Sequence, residues 1–284
     1  MIKIAQISDL HFSTFSLKIK DLFSKRLIGM VNLLINRKKS YIDKHLYKLP
    51  SLFRSLDLDY VFISGDLTST SLIKEFEKAK KFTSSFDKDL KFFIIPGNHD
   101  QYTKKAFQKD FFYNFFENKN KLQTKSLKKD KIEILSLSDK WVSIGLDTTL
   151  ATSLFSASGL FSKDLEKTLI EILDAIPKDK NIILINHFPI IHIAPKRKHL
   201  KRRAVLLDII KKHPNIKLYL HGHTHKLAVE KEDNLPFMIC SGCSSHKKNG
   251  SFNLFEIEND KCKVINYKIK NNSWQKNKTW QLHF

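Results

Sequence analysis

At 284 residues, the chain sets 50 Lys plus Arg against 29 Asp plus Glu for a formal charge of +21, with 42% apolar residues and only 8 glycines. That balance supports a packed core and excludes disorder and collagen, and 3 cysteines cannot close a small disulfide scaffold, so a reducing compartment is the default. The first strand-like run begins at Ile2, too early for a signal peptide, and the longest apolar stretch, Leu27 to Ile35, falls well short of the roughly 20 residues of a membrane span, so a soluble cytoplasmic protein is expected, with peripheral attachment to the inner face of the membrane left open.

Along the chain, apolar runs and helical spacing predict strand 2–8, helices 17–36 and 41–56, strand 60–64, helix 71–86, strand 91–95 and helix 104–117. Strands 132–137 and 141–146, helix 162–175, strand 182–186 and helix 201–212 follow, then strands 216–220, 236–240, 252–258 and 263–270. The alternation of strand and helix in the first half argues for parallel strands joined by crossover helices. With no repeat and no Gly/Ser linker, a single α/β domain with two sheets over 1–270 is expected, carrying a helical insertion at 16–48 and ending in a basic tail at 271–284. The positive charge is clustered: residues 16–48, 192–213 and 261–284 carry +7, +7 and +6. Such clusters suit a phosphate-bearing partner, or are lysine-rich solvated surface.

Five short clusters follow strand ends: Asp9-Leu10-His11, Gly65-Asp66, Gly97-Asn98-His99-Asp100, Asn186-His187 and Gly222-His223-Thr224-His225. Loops beyond the carboxyl ends of strands build the ligand site of open α/β sheets, so all five can converge on one edge. A single Asp-x-His or strand-end histidine means little. The ordered set of carboxylates, amide and imidazoles suits divalent transition metals.

The series DLH, GD, GNHD, H and GHTH resembles the calcineurin-like metallophosphoesterase superfamily, and ISDLHF and ISGDLTSTSLIKEFEKAKKF look most like its bacterial cyclic-nucleotide phosphodiesterase branch. The resemblance implies a four-layer α/β/β/α sandwich and two divalent ions (Mn, Fe, Zn or Co) at one edge. Carried over by position, Asp9, His11, Asp66 and His225 hold one ion, and Asp66, Asn98, His187 and His223 the other, with Asp66 bridging. The ions would acidify a shared water into a hydroxide that attacks phosphorus in line. The resemblance also places His99 near the leaving oxygen as general acid or electrostatic stabiliser, and Asp100 would orient it and keep it protonated; Asp100 also fits as a plain turn residue capping the helix that follows. One departure is Asn186, where many relatives carry a second histidine.

Weaker signals remain. Cys240 and Cys243 have Cys-x-x-Cys spacing but read as core, His221 reads as a strand end, and Asp147 as support for a loop. Helix 17–36 is amphipathic and basic, fitting either an anionic membrane surface or a face packed on the sheet. Phe111, Phe112, Phe115 and Phe116 form an apolar lip or plain core, and the run KRKHLKRR offers Lys196, Arg197, Arg202 and Arg203 as substrate-phosphate contacts. The expected activity is hydrolysis of a phosphomonoester or diester. Its substrate is a phosphorylated small molecule such as a 3′,5′-cyclic nucleotide, or a nucleotide-linked lipid pyrophosphate of the UDP-diacylglucosamine type. A nuclease is disfavoured, because the basic segments lack interleaved aromatics. A non-catalytic scaffold is disfavoured because every ligand position is filled. Oligomeric state is left open.

Overall fold

The computed structural model describes residues 1–14, 43–117, 125–152, 156–191 and 195–284, so the expected helix 17–36 and most of the 16–48 insertion lie outside the described residues. One six-stranded sheet contains β1 (Ile2–Ile7), β2 (Tyr60–Ser64), β3 (Lys91–Ile95), β12 (Ser251–Glu258), β13 (Lys261–Lys270) and β14 (Ser273–His283), in the order β14-β13-β12-β1-β2-β3. β1, β2 and β3 run parallel, as the alternation of strand and helix requires, while β12 to β14 add on antiparallel. The other six-stranded sheet contains β4 (Ile132–Ser136), β5 (Trp141–Leu146), β7 (Asn181–Asn186), β9 (Ile216–His221), β10 (Leu227–Glu230) and β11 (Phe237–Ser241), in the order β10-β11-β9-β7-β5-β4. A short parallel pair, β6 (Gly159–Leu160) and β8 (Leu200–Lys201), stands apart.

The two sheets pack face to face, and period-two alternation sorts their side chains. On β7, Ile183 and Ile185 join the core shared with Ile63, Phe93 and Phe255, whereas Ile182 and Leu184 join a second core against α6 (Lys163–Ala175) and α7 (Arg203–Lys212). The opposite outer layer is α1 (Leu49–Leu56) and α2 (Ile73–Thr83), which bury Phe53, Phe76 and Phe82 on the first sheet. The four-layer sandwich expected from the sequence is therefore the fold observed. Helix starts follow ordinary capping chemistry: the Ser162 hydroxyl accepts from Leu165 N–H at 3.1 Å, and Glu75 reaches back to Leu72 N–H at 3.2 Å.

Two expectations need correction. Helix 104–117 is broken into α3 (Lys104–Gln108) and α4 (Phe111–Phe116), because Asp110 adopts a left-handed conformation with φ 52°. A further single turn, α5 (Leu127–Asp130), precedes β4. The stretch 271–284 is no tail: Asn271 and Asn272, at φ 49° and 58°, make a two-residue reversal that sends β14 back along β13. Among the described residues no helix is long and apolar enough to cross a membrane.

Candidate metal centre

The parallel strands β1, β2 and β3 of one sheet and β7 and β9 of the other all end at the same edge of the sandwich, and the loops beyond them meet. Asp9, His11, Asp66 and His225 bring one donor atom each within 4.8 Å of one another, and so do Asp66, His187 and His223. Asp66 belongs to both groups. Its Oδ1 accepts from the His99 N–H at 2.8 Å, and its Oδ2 lies 3.4 Å from His187 Nε2 and 4.0 Å from His11 Nε2. One oxygen is thus occupied by backbone, and the other faces both donor groups.

The backbone is bent to achieve this. Asp9, His11, Asp66, His223 and His225 all have positive φ, between 47° and 68°, a conformation costly for residues with a Cβ. Glycines permit the close approach of the loops: a Cβ on Gly97 would meet Asp66 Oδ1 at 2.2 Å, and one on Gly222 would meet Ser8 Oγ at 2.1 Å. Asp9 is held from behind by the loop after β11, where the Cys243 thiol and Ser245 hydroxyl both donate to its carbonyl, at 3.1 and 3.0 Å. Ser244 N–H completes the clasp by donating to Ser8 O at 2.8 Å.

Hydrogen bonds to carbonyls fix the imidazole tautomers. His187 Nδ1 donates to Ser64 O at 2.8 Å, so Nε2 is the nitrogen turned toward Asp66. His223 Nε2 donates to Lys198 O at 3.1 Å, leaving Nδ1 for the cluster. Burial opposes charge on Asp9 and Asp66, yet His225 beside Asp9, and His187 and His99 beside Asp66, hold both carboxyls well below the ordinary range. Burial drives His223 down to about 3, so it stays a neutral donor.

A direct test of fit comes from unpaired atoms. Among the described residues, nine buried side-chain atoms lack a well-directed hydrogen bond, and three of them, Asp9 Oδ1, Asn98 Oδ1 and His187 Nε2, belong to the ligand set that the resemblance implies. Buried polar atoms of this kind are costly unless something fills the space between them. The carboxylate, amide and imidazole donors suit a divalent transition metal.

Not every expected residue joins the centre. Asp100 does not orient His99: its carboxylate accepts from Gly97 N–H, Leu67 N–H, Thr68 N–H and the Thr68 hydroxyl at 2.8 to 3.1 Å, stitching the Asp66 and Asn98 loops together. His99 takes its support from a carbonyl instead, with Nδ1 2.7 Å from Ser69 O. The Arg202 guanidinium pairs with Glu166 and donates to Phe161 O, and Arg203 donates to Ile190 O at 2.9 Å. Lys196 and Arg197 are exposed on a single turn of 3-10 helix, Lys196–Lys198, whose Lys198 carbonyl reaches His223. Asn186 accepts from the Thr148 hydroxyl at 2.7 Å and donates to Tyr219 OH at 3.0 Å, a hydrogen-bonded support beside His187. Asp147 is buried, takes the Tyr113 hydroxyl and pairs with Lys131 at 3.1 Å, a loop-supporting role. His221 ends β9, bonded through Nδ1 to Gly222 O, and Cys240 and Cys243 are free, buried thiols whose pKa burial raises.

Comparison with known proteins agrees with this geometry. The family described as calcineurin-like phosphoesterase matches residues 2–227. A probable glycerophosphodiester phosphodiesterase of Arcobacter nitrofigilis is 26% identical over 60% of the chain and 58% of its own length, so the match spans less than two thirds of that relative. A probable cyclic nucleotide phosphodiesterase of Ruthia magnifica is 26% identical over 65% of the chain and 69% of its own length. In fold, the chain is similar to a dimetal phosphatase from Danio rerio, with a TM-score of 0.68 at 11% identity, covering 99% of this chain and 98% of the other. It is also similar to a purple acid phosphatase from yellow lupin, with a TM-score of 0.61 at 9% identity, covering 99% of this chain and 53% of that one.

Proposed function

The chain belongs to the calcineurin-like phosphoesterase family, and on that premise we propose that it is a metal-dependent phosphodiesterase with a binuclear centre. The observation that carries this reading is Asp66 Oδ2, which among the described residues is a carboxylate oxygen set against both donor groups. Asp9, His11 and His225 with Asp66 would hold one divalent ion, and Asn98, His187 and His223 with Asp66 the other. Bound there, the ions would supply positive charge for the phosphoryl oxygens and would lower the pKa of a water molecule.

The chain's own residues do the rest. Locked by the His99 N–H, Asp66 cannot rotate away from the centre. With their other nitrogens held by carbonyls, His187 Nε2 and His223 Nδ1 are the atoms turned to the donor groups, and a metal bound there would displace any proton on His187 Nε2. His99 delivers a proton from Nε2 to the departing alkoxide as the bond from phosphorus to that oxygen breaks. The Ser69 carbonyl on Nδ1 steadies the imidazolium before transfer. Water and the diester become a monoester and an alcohol.

A diester is favoured because both curated relatives carry phosphodiesterase names. The lipid pyrophosphate reading rests on residues 17–36, which lie outside the described residues. The test is turnover, after Mn²⁺ loading, of bis(4-nitrophenyl) phosphate, glycerophosphoethanolamine, cyclic AMP and a UDP-linked acylated sugar. Metal-dependent diester hydrolysis lost in Asp66→Ala is the expected outcome. Metal binding with silence on every diester, or preference for the acylated sugar, overturns the diester reading.

A further inference from the structure

His99 is held on three sides. Ser69 O lies 2.7 Å from Nδ1, the His11 ring stands edge-on at 5.0 Å and 89°, and the Tyr102 ring stacks at 5.3 Å and 9°. Tyr102 is itself fixed, being 8% exposed, with its N–H donating to the Ser71 hydroxyl at 2.7 Å. That same hydroxyl donates to the His99 carbonyl at 2.8 Å, so a single side chain sets the spacing of the two backbones that carry the rings. Ser71 sits at φ 56°, a strained conformation at the point that joins them. The ring on which Tyr102 stacks is the proposed proton donor.

Resting on the phosphodiesterase reading, we infer that Tyr102 is a positioning residue that fixes the plane of His99 for protonation of a poor leaving group, which makes alkyl phosphodiesters the substrate class of the site. A ring free to turn about χ2 would swing Nε2 off the line to the leaving oxygen. A flat neighbour parallel to it, 5.3 Å away and 9° from its plane, removes that freedom. The benefit depends on the leaving group. A nitrophenolate departs as a stable anion and needs no proton, whereas an alkoxide of glycerol or a nucleoside must take one as its bond to phosphorus breaks. A clamp on the acid therefore matters for alkyl diesters and hardly at all for aryl ones.

The experiment compares Mn²⁺-loaded wild type, Tyr102→Phe and Tyr102→Leu on glycerophosphoethanolamine and on bis(4-nitrophenyl) phosphate, with bound metal measured for each. Tyr102→Leu is expected to lose about 10- to 100-fold in kcat on the alkyl diester and less than about threefold on the aryl diester. KM and metal content should hold, and Tyr102→Phe, which keeps the ring, should match wild type on both substrates. Tyr102→Met, similar in volume and without a ring, serves the same purpose should the Leu variant fail to fold. Equal loss on both substrates would make Tyr102 a packing residue and overturn the inference alone, as would no loss on either. A wild type inactive on both diesters removes the phosphodiesterase reading, and the inference with it.

Discussion

The loops that carry Asp9, Asp66, Asn98, His187 and His223 and the basic segment from Lys196 to Arg203 are neighbours, joined by the Lys198 carbonyl on His223 Nε2. They resolve their polar groups in opposite ways. The loops leave Asp9 Oδ1, Asn98 Oδ1 and His187 Nε2 buried without a well-directed hydrogen bond. In the basic segment, Arg202 and Arg203 are already engaged by Glu166, Phe161 O and Ile190 O. Charge in a sequence is thus a poor guide to binding, since an acid or carbonyl on another element can consume it. Donors placed at successive strand ends are a good guide, because the sheet edge fixes where they must meet.

The largest effects should separate the two donor groups. His225→Ala removes a donor from one and His187→Ala a donor from the other, while Asp66 remains. Each is expected to lower bound metal by roughly half and kcat by about 100- to 1,000-fold, since each ion is worth several kcal/mol to the transition state. Metal analysis beside steady-state kinetics checks this. If either substitution left both metal and rate intact, that residue would have no place in the centre.

Asp100 sharpens the contrast. A buried carboxylate accepting from Gly97, Leu67 and Thr68 holds two site loops together. Asp100→Asn replaces an acceptor oxygen with a donor amide facing N–H groups, and is expected to cost about 3 kcal/mol of unfolding free energy. Arg202→Ala, by comparison, breaks a partly exposed pair with Glu166. Its cost should stay below about 1 kcal/mol with turnover changed less than about twofold. Urea unfolding of both variants decides, and a costly Arg202→Ala with lost turnover would return the basic segment to the site.

These contrasts also show what was legible beforehand. The parallel strands and the loops at their ends are written in apolar runs closed by Asp, Asn and His, so the layers and the convergence of the donors could be read residue by residue. The partnership of Asp100 could not, because backbone N–H groups at Gly97, Leu67 and Thr68 leave no mark in a sequence, and proximity to His99 suggested the wrong neighbour. Tyr102 carried no signal for the same reason: stacking depends on where Ser71 holds the chain. β14 was missed because Lys276 and Lys278 interrupt its few apolar residues, yet Asn271-Asn272 was a usable hairpin signal, since asparagine tolerates positive φ. The break at Asp110 lay hidden in a run of aromatics whose spacing is helical on both sides.

The smallest effect tests how far the centre is supported from the opposite side. His45 is buried, its Nε2 donating to Ser244 O at 2.9 Å, and Ser244 N–H in turn holds Ser8 O beside Asp9. Burial lowers the His45 pKa below its ordinary 6.5, outweighing the help of the Ser244 carbonyl. The folded state therefore binds that proton less readily than the unfolded chain does. The stability contributed by neutral His45 is complete above pH 6.5 and is lost as pH falls from there through the folded-state value. His45→Gln keeps a donor for Ser244 O but has no titrating ring, so its unfolding free energy should fall less steeply on acidification below that point. The two curves are expected to differ in slope below pH 6.5, the variant's being the shallower. Parallel curves would mean that His45 titrates alike in both states, and that the clasp behind Asp9 is held by its serines and Cys243 alone.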